Sequence, residues 1–524
     1  MSVPLFVEPG NVPKKTKQNK AKNNNNNKNN TPKTAKKDFL VDTVGNSLVE
    51  QLNSSQKPDG CPCCASLVDS LRGGSEDLPF TADRVKDQPR SSSSSCCSSG
   101  SDSSRTVFGG STPNLSSSTP SLHHSHTDAS HEERPALAPL LKEKYRKKSV
   151  IFTLEDFRTM KTVERLTAHY GRVSHMGILD RSYSFFVNKA HTAALSFKVK
   201  HKVAIVGGDP LCAPEMFGDL LAEFAAYRKD FSWGLAFLGV SDTFAQYARD
   251  RNWTTMQFAT ERVLNPMTNE VLLEKAGKRI IVQNKQLLNP NKGGTTLSVY
   301  VPADEPNEEL QRELTAMYDA WRVERNDASN STSAASQAFV TVFDPFSLPD
   351  LMTYIYTRGP DGTLTGFAAL RRIGANQGYH LDPCIAAPGE TTPRGITDLL
   401  TYAAMALLHR AGVSYLSLGY EPLDALGEIT GMPSPIEKVA RSIHRRAFRN
   451  LPIGGKKAHH DKFRPDADQE SGLFLVFPAG VPGLRQLMAM AHMANISIRR
   501  VAWGEVRSSP SDKQDSKEKP ADAL

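Results

Sequence analysis

Twice along this chain an apolar strand gives way to a polar loop, the loop to a helix, and the helix to another apolar strand. The first copy runs from a strand at Lys202–Val206 through the break Gly207-Gly208-Asp209-Pro210. It continues into a helix from Pro214 to Arg228, with Phe217, Leu220, Leu221 and Phe224 on one face, and ends in the strand Trp233–Val240. The second pairs the strand Thr365–Ile373 with a loop at Asp382–Thr392. A long helix follows, with Thr392 as its cap, Pro393 at its first position and Gly412 just past its end, and then the strand Val413–Leu418, stopping at Gly419. One such unit in each half predicts two tandem α/β domains of similar plan. Identity between the halves is weak, so the duplication rests on pattern.

The flanking segments fit that plan. A helix is expected over Leu154–Tyr170, then short strands at Val173–Leu179, Ser184–Val187 and Ala193–Lys198. A helix capped by Ser241 should precede the strand Thr254–Val263, with helices again over Lys275–Asn291 and Glu308–Arg325 and a strand at Leu351–Thr357. Residues 1–147 read differently: Asn, Ser, Lys, Pro and Thr dominate, and no apolar period is sustained. Such a composition buries too little apolar surface to offset the entropy of ordering, so a disordered leader is expected there and a disordered tail over 506–524. The domains are then 148–303 and 304–505.

Charge sharpens the picture. The net charge is +8, and nine lysines without an acid lie between Lys14 and Lys37, so the rest of the chain is near neutral. Against that balanced body, Lys438 to Arg464 carries nine Lys and Arg, three His and one acid, Asp461. A cluster this dense inside a folded region points to a polyanion, most commonly phosphate. The segment reads as a helix capped by Ser434, with Pro435 at its first position and Glu437 closing a capping box. Ile436, Val439, Ala440, Ile443 and Ala447 are expected to face the core, with Lys438, Arg441, Arg445 and Arg449 on another face. Gly454 and Gly455 then form a loop of close backbone approach, followed by Lys456, Lys457, His459, His460, Lys462 and Arg464.

In α/β sheets, ligands gather at the carboxyl ends of strands and at helix N-termini. Three such places carry polar residues: Gly208-Asp209-Pro210, the run Thr392 to Asp398, and Ser417-Leu418-Gly419-Tyr420-Glu421-Pro422-Leu423. There is no P-loop, no nucleophile elbow, no zinc-protease helix and no dinucleotide fingerprint. The Gly-rich acetyl-CoA loop is missing too, which disfavours an ordinary N-acyltransferase. His459-His460 has no Cys or carboxylate set at metal-ligand spacing, so no metal is expected, and a hydrogen-bonding or general-base role suits the pair. Of the seven cysteines only Cys212 and Cys384 fall in the folded part. That implies a reducing compartment without a disulfide framework. Neither a signal-peptide core nor an apolar run of membrane-spanning length is present. A cytoplasmic protein is expected, with any contact to membranes or lipid droplets peripheral.

These motifs carry a family resemblance. Pro393-Arg394-Gly395-Ile396-Thr397-Asp398-Leu399-Leu400 resembles the P-x-G-x-x-D-[FL]-L element in the synthase domain of bacterial phosphatidylglycerol lysyltransferases. Ser417-Leu418-Gly419-x-x-Pro422-Leu423 is similar to that family's next strand-end motif, and Lys457-x-x-x-x-Lys462-Phe463-x-Pro465 to its C-terminal element. Gly208-Asp209-Pro210 matches a fourth element, and order and spacing agree over roughly residues 150–505. The Trp-Glu-Pro-Arg-Tyr that usually follows the last element is replaced by Asp466-Ala467-Asp468-Gln469-Glu470, and the membrane flippase domain is missing.

The resemblance implies two tandem acetyltransferase-like (GNAT) domains and an aminoacyltransferase needing no cofactor. Its co-substrate would be aminoacyl-tRNA and its acceptor a lipid hydroxyl. Members without a flippase and with Asn-rich leaders resemble the fungal branch that modifies sterol, and the stand-alone ones the ergosteryl-3β-O-glycine synthases. That implies glycine moved from glycyl-tRNA to the 3β-hydroxyl of ergosterol. Phosphatidylglycerol or another lipid is the alternative acceptor, and a non-catalytic RNA-binding protein the alternative class. The implied proton-handling residues are Asp398, Glu421, His459 and His460. Arg394, Arg441, Arg445, Lys457, Lys462 and Arg464 would hold tRNA phosphates and the 3′ end, with Asp209, Asp382, Ser417 and Gly419 on the rim.

Overall fold

The computed structural model describes residues 39–54, 151–331, 344–389, 392–449 and 454–493. Its elements in chain order are α1 (Leu40–Ser54), β1 (Ile151–Phe152), α2 (Phe157–Tyr170), β2 (Ser184–Val187), β3 (Ala194–Lys200), β4 (Val203–Gly207), α3 (Phe217–Lys229), β5 (Gly234–Val240), α4 (Asp242–Arg249) and β6 (Thr254–Leu264). Then come α5 (Lys278–Leu287), β7 (Thr296–Tyr300), α6 (Glu308–Ser331), β8 (Met352–Arg358), β9 (Leu364–Ile373), β10 (Gly378–Ala386), α7 (Ile396–Arg410), β11 (Leu416–Pro422), β12 (Ile429–Thr430), α8 (Ser434–Arg449), α9 (Gly454–Asp461), β13 (Ser471–Phe477) and α10 (Leu484–Met493).

All thirteen strands join one mixed sheet in the order β1-β2-β3-β4-β5-β13-β6-β11-β10-β9-β8-β7, with β12 also pairing β6. The repeat expected from the sequence is visible in the ladders. β2, β3 and β4 form an antiparallel meander, and α3 then carries the chain across to β5, parallel to β4. β8, β9 and β10 form a second meander, and α7 carries the chain to β11, parallel to β10. The α/β class and the duplicated plan both hold. The halves are interlaced, however: β13, last in the chain, lies between β5 and β6 and is antiparallel to both.

Apolar clusters cover both faces of the sheet. Buried residues of α1, α5 and α7 pack together with Leu264, Leu370, Leu416 and Phe463. Those of α3 and α4 pack on Phe197, Phe237 and Val476, and α2 and α6 share a cluster with Tyr354 and Phe367. A further cluster gathers Ile205, Met256, Phe258, Leu473 and Phe477 under Ala489 and Met490 of α10. α7 is largely apolar, with Ala403, Ala404 and Ala406 in its middle, so all of it from Asp398 to Leu408 is buried between α1 and the sheet.

Several expectations need correction. The leader is not uniformly without order, because residues 40–54 form α1, burying Leu40, Val41, Val44, Leu48 and Leu52 at helical spacing. A side chain at Gly45 would come within 2.8 Å of the Ala406 carbonyl, so only glycine permits this crossing with α7. Gln51 donates to the Leu297 carbonyl at 3.1 Å and accepts from the Val299 amide at 3.2 Å, tying α1 to the edge strand β7. The rest of the leader with its cysteines, and the 506–524 tail, lie outside the described residues.

Val173–Leu179 is a 3-10 helix, not a strand. His175 dictates this: its Nδ1 accepts from the Arg172 amide at 2.9 Å while Nε2 lies 2.8 Å from the Asp209 carbonyl. β10 occupies what reads as loop. Pro383, lacking a ladder donor, sits where the β9–β10 register shifts between Leu381 and Cys384. α7 starts at Ile396 with Gly395 as its cap, not at Thr392, and Gly454 and Gly455 open α9 rather than form a loop. The core-facing assignment on α8 is reversed. Val439 and Ile443 are 57% and 60% exposed and Ile436 is exposed too, while Ala440 packs on the Phe258 cluster. Arg441 holds α8 in that rotation by donating to the carbonyls of Leu426 and Gly427 and pairing with Glu437 at 2.8 Å. The side chain of Ala447 lies outside the described residues.

Candidate functional site

Two charge clusters meet on the short helix α9. The first is built on Asp398 in the first turn of α7, where the amide dipoles of a helix N-terminus favour a carboxylate. Gly395, at φ 96°, starts that turn, and the Arg394 carbonyl accepts from Gln283 Nε2 at 2.7 Å. Asp398 is buried, yet Lys462 Nζ reaches its Oδ1 and Oδ2 at 3.2 and 3.3 Å, and His459 Nδ1 lies 3.5 Å from Oδ1. Burial pushes the His459 imidazole below its ordinary pKa; Asp398 pulls the other way, and Lys462 adds to the depression. The net effect favours the neutral imidazole. With Nδ1 turned to Asp398, Nε2 is left as the basic nitrogen.

The second cluster lies at the end of β11. A register shift between Ser417 and Tyr420, with Gly419 at φ 92°, re-aims the strand there. Glu421 faces Lys457 Nζ at 3.0 Å, and that contact raises the Lys457 pKa. Arg262 on β6 is the hub: Nη2 lies 2.6 Å from Asp461 Oδ1, Nη1 2.8 Å from Glu470 Oε1 and Nε 3.6 Å from Glu421 Oε2. Glu470 is raised by burial, while Arg262 works against the rise.

The segment between α9 and β13 is firmly held. Phe463 is fully buried with its ring edge-on to His459 at 5.8 Å. Asn269 Nδ2 donates to the carbonyls of Phe463 and Arg464 at 2.7 and 3.3 Å. The Asp466 amide donates to the Val263 carbonyl at 2.8 Å.

The structure thus brings together Asp398, Glu421, Lys457, His459 and Lys462. His460 is buried beside them, its carbonyl accepting the Phe463 amide at 3.0 Å. Arg394, Arg445 and Arg464 are exposed. Arg441 is committed to backbone carbonyls, as described for α8. Ser417 is buried, and its Oγ accepts from the Gly419 amide at 3.2 Å. Asp382 sits at the β10 irregularity within the field of the buried Arg371.

Asp209 belongs to a separate buried seam. It pairs with Arg172 at 3.1 Å and accepts from the Ser241 amide at 2.8 Å and from Ser241 Oγ at 2.5 Å, and its carbonyl meets His175, whose pKa burial lowers to about 4. Sequence reading missed Arg262 and Glu470. The available signal was the charged pair Glu261-Arg262 inside an otherwise uncharged strand.

Among the described residues no helix is long and apolar enough to cross a membrane, and no group of three or more metal-ligating side chains is gathered. Residues 164–471 match the family described as phosphatidylglycerol lysyltransferase, C-terminal. The lysylphosphatidylglycerol biosynthesis bifunctional protein of Rhodococcus jostii is 25% identical over 253 residues, covering 48% of this chain and 21% of that protein. An MprF-like domain protein of Mycobacterium tuberculosis is 23% identical over 246 residues, covering 45% of this chain and 47% of that one. This chain therefore spans about a fifth of the first relative's length and about half of the second's. Among solved structures, that of L-PGS from Bacillus licheniformis aligns with 65% of this chain and 96% of its own, at a TM-score of 0.48 and 16% identity.

Proposed function

This chain belongs to the phosphatidylglycerol lysyltransferase C-terminal family, and from that membership we propose that it moves an amino acid from aminoacyl-tRNA onto a lipid hydroxyl. The observation that carries the reading is the buried Asp398 carboxylate shared by the His459 imidazole and Lys462, on the rim that also bears Glu421, Lys457 and Arg262. An aminoacyl ester is already activated. Its transfer needs orientation, a proton acceptor and stabilisation of the oxyanion, with no covalent intermediate.

In this mechanism the lipid hydroxyl oxygen attacks the ester carbonyl carbon while its proton passes to His459 Nε2. Asp398 holds the resulting imidazolium, and Lys462 faces the developing negative charge. The tetrahedral intermediate then collapses, breaking the bond from the carbonyl carbon to the ribose oxygen, which takes the proton back. Exposed Arg394 and Arg464 hold the phosphates and the 3′ terminal adenosine, while Arg445 lies on the outer flank of α8. Arg441 drops out of that group because its guanidinium is committed to Leu426 and Gly427.

For the finer identity we propose glycine as the amino acid and the ergosterol 3β-hydroxyl as the acceptor. Phosphatidylglycerol is the second reading, favoured by relatives that carry lysylphosphatidylglycerol biosynthesis in their names. The test incubates the full chain with glycyl-, aspartyl- or lysyl-tRNA labelled in the amino acid, and with ergosterol or phosphatidylglycerol. Label should enter the lipid extract with one charged tRNA and one acceptor, and RNase should abolish it. Binding of tRNA without transfer to either lipid would retire both acceptors and leave the RNA-binding alternative.

A further inference from the structure

α8 presents three faces in turn. At about 100° per residue, Glu437, Ala440, Arg441 and His444 point inward, Ile436, Val439 and Ile443 form the next stripe, and Lys438 and Arg445 lie beyond it. The inward residues are half-buried, whereas the apolar stripe and the basic flank are exposed. A helix that rests on its polar Arg441 and turns Val439 and Ile443 outward has its apolar face on the wrong side for a core.

α10 repeats the arrangement on the same side of the sheet. Ala489 and Met490 pack into the cluster that also receives Ala440 of α8. Leu484, 73% exposed, and Leu487 face away, with Val481 exposed just before the helix. Its charge is again basic. Arg485 is exposed on the helix, and His492 meets His201 at 2.9 Å on the β3–β4 turn, where Lys202 is also exposed. Acids nearby are engaged: Glu437 by Arg441 and Glu428 by Arg249 at 2.9 Å, with Asp424 facing His444.

We propose that the outer faces of α8 and α10 form one docking surface for an anionic phospholipid bilayer. The apolar side chains sink to the acyl boundary and the flanking Lys and Arg meet the headgroup phosphates. This division of labour is the physics of interfacial helices. A nucleic acid would use the basic flank but leave the apolar stripe exposed. Four residues separate α8 from α9, the helix that carries Lys457 and His459. Docking is independent of the transfer chemistry and is tested without it.

Sedimentation of the full chain with phosphatidylcholine–phosphatidylserine vesicles tests the surface, using neither tRNA nor sterol. The wild type should bind these vesicles and bind pure phosphatidylcholine far less. The triple variant Ile436→Ser, Val439→Ser, Ile443→Ser alters exposed positions only and should keep the wild-type circular dichroism. It should bind at least about tenfold more weakly, given the apolar area withdrawn from the acyl boundary. Leu484→Ser with Leu487→Ser should weaken binding independently. The basic leader is common to all variants, so it cancels in the comparison. Wild-type affinity in both variants would overturn the proposal. So would absence of wild-type binding, the outcome if residues 494–524 cover this face. In a separate filter-binding assay with tRNA, a triple variant that loses tRNA binding but keeps vesicle binding would assign the face to RNA and also overturn the proposal.

Discussion

Arg262→Met removes a guanidinium while keeping an apolar side chain of similar reach. Glu421 retains Lys457 at 3.0 Å, and Asp461, 47% exposed, is largely rescued by water. Glu470 fares worst: it is 19% exposed, and Arg262 is its one ion-pair partner among the described residues. A partly buried ion pair at 2.8 Å contributes about 1.5–3 kcal/mol, between the exposed and the fully buried cases, and the screened Asp461 pair about 0.5 kcal/mol more. The expected loss at neutral pH is thus about 2–3.5 kcal/mol.

The sign of its pH dependence follows from Glu470, whose pKa lies above the ordinary carboxyl value because of burial, even with Arg262 opposing. A carboxyl raised on folding favours the folded state while protonated and loses that advantage as pH climbs from the unfolded pKa through the folded one. Without Arg262 the group rises further. The defect should therefore be largest at neutral pH and shrink at a mildly acidic pH, where Glu470 takes up a proton. Urea denaturation at both pH values is the assay, with Glu470→Gln added to the Arg262→Met background to recover part of the loss. A defect below about 0.5 kcal/mol, or one equal at both pH values and untouched by Glu470→Gln, would refute the reasoning.

Three further outcomes are expected. If His459 is the proton acceptor, the acid limb of kcat/KM lies below the ordinary histidine range; Lys462→Met should move it up, because Lys462 depresses the imidazole, and Asp398→Asn should move it down. Equal shifts in both variants would remove His459 from that role. Phe463→Ala empties a fully buried site under the charged rim and should cost about 3–5 kcal/mol in urea denaturation; a cost under about 1 kcal/mol would mean that the hydrogen bonds to Asn269 and Val263 hold the turn without the ring. Leu48→Ala in α1 should cost about 2–5 kcal/mol if this helix is part of the folded body, and essentially nothing if it is not.

The repeat was legible because its signal is local. Apolar strands and one-faced helices announce themselves, and the parallel crossovers at β4–β5 and β10–β11 follow from alternating elements. Asp398, Glu421, Lys457, His459 and Lys462 were legible as motif residues, since helix starts and strand ends are where α/β chemistry gathers. What was not legible depends on tertiary context. α1 is a single amphipathic helix surrounded by Lys-, Asn- and Ser-rich sequence, and only its contact with α7 marks it as core. β10 was hidden by Pro383. The rotation of α8 was misread because periodicity reports that a helix has two faces but not which one meets the protein; Arg441, finding two backbone carbonyls, decided it. Arg262 lay about 200 residues from the partners that give it meaning.

The position of β13 explains why two clusters so distant in sequence share one short helix. Lys457 and Asp461, four apart on α9, reach Glu421 and Arg262. His459 and Lys462, three apart, reach Asp398 at the start of α7. One turn of helix therefore spans the gap between the α7 crossover and the end of β11, provided its downstream end is fixed. Phe463 in the core, Asn269 on the Phe463 and Arg464 carbonyls, and the Asp466 amide on Val263 supply that fixation. β13 then enters the sheet between β5 and β6, anchoring the same segment to both strands. Upstream, α8 carries an exposed apolar stripe. The charged rim is thus clamped on its downstream side by the sheet, and α8, which carries the face proposed to lie on a bilayer, precedes it in the chain.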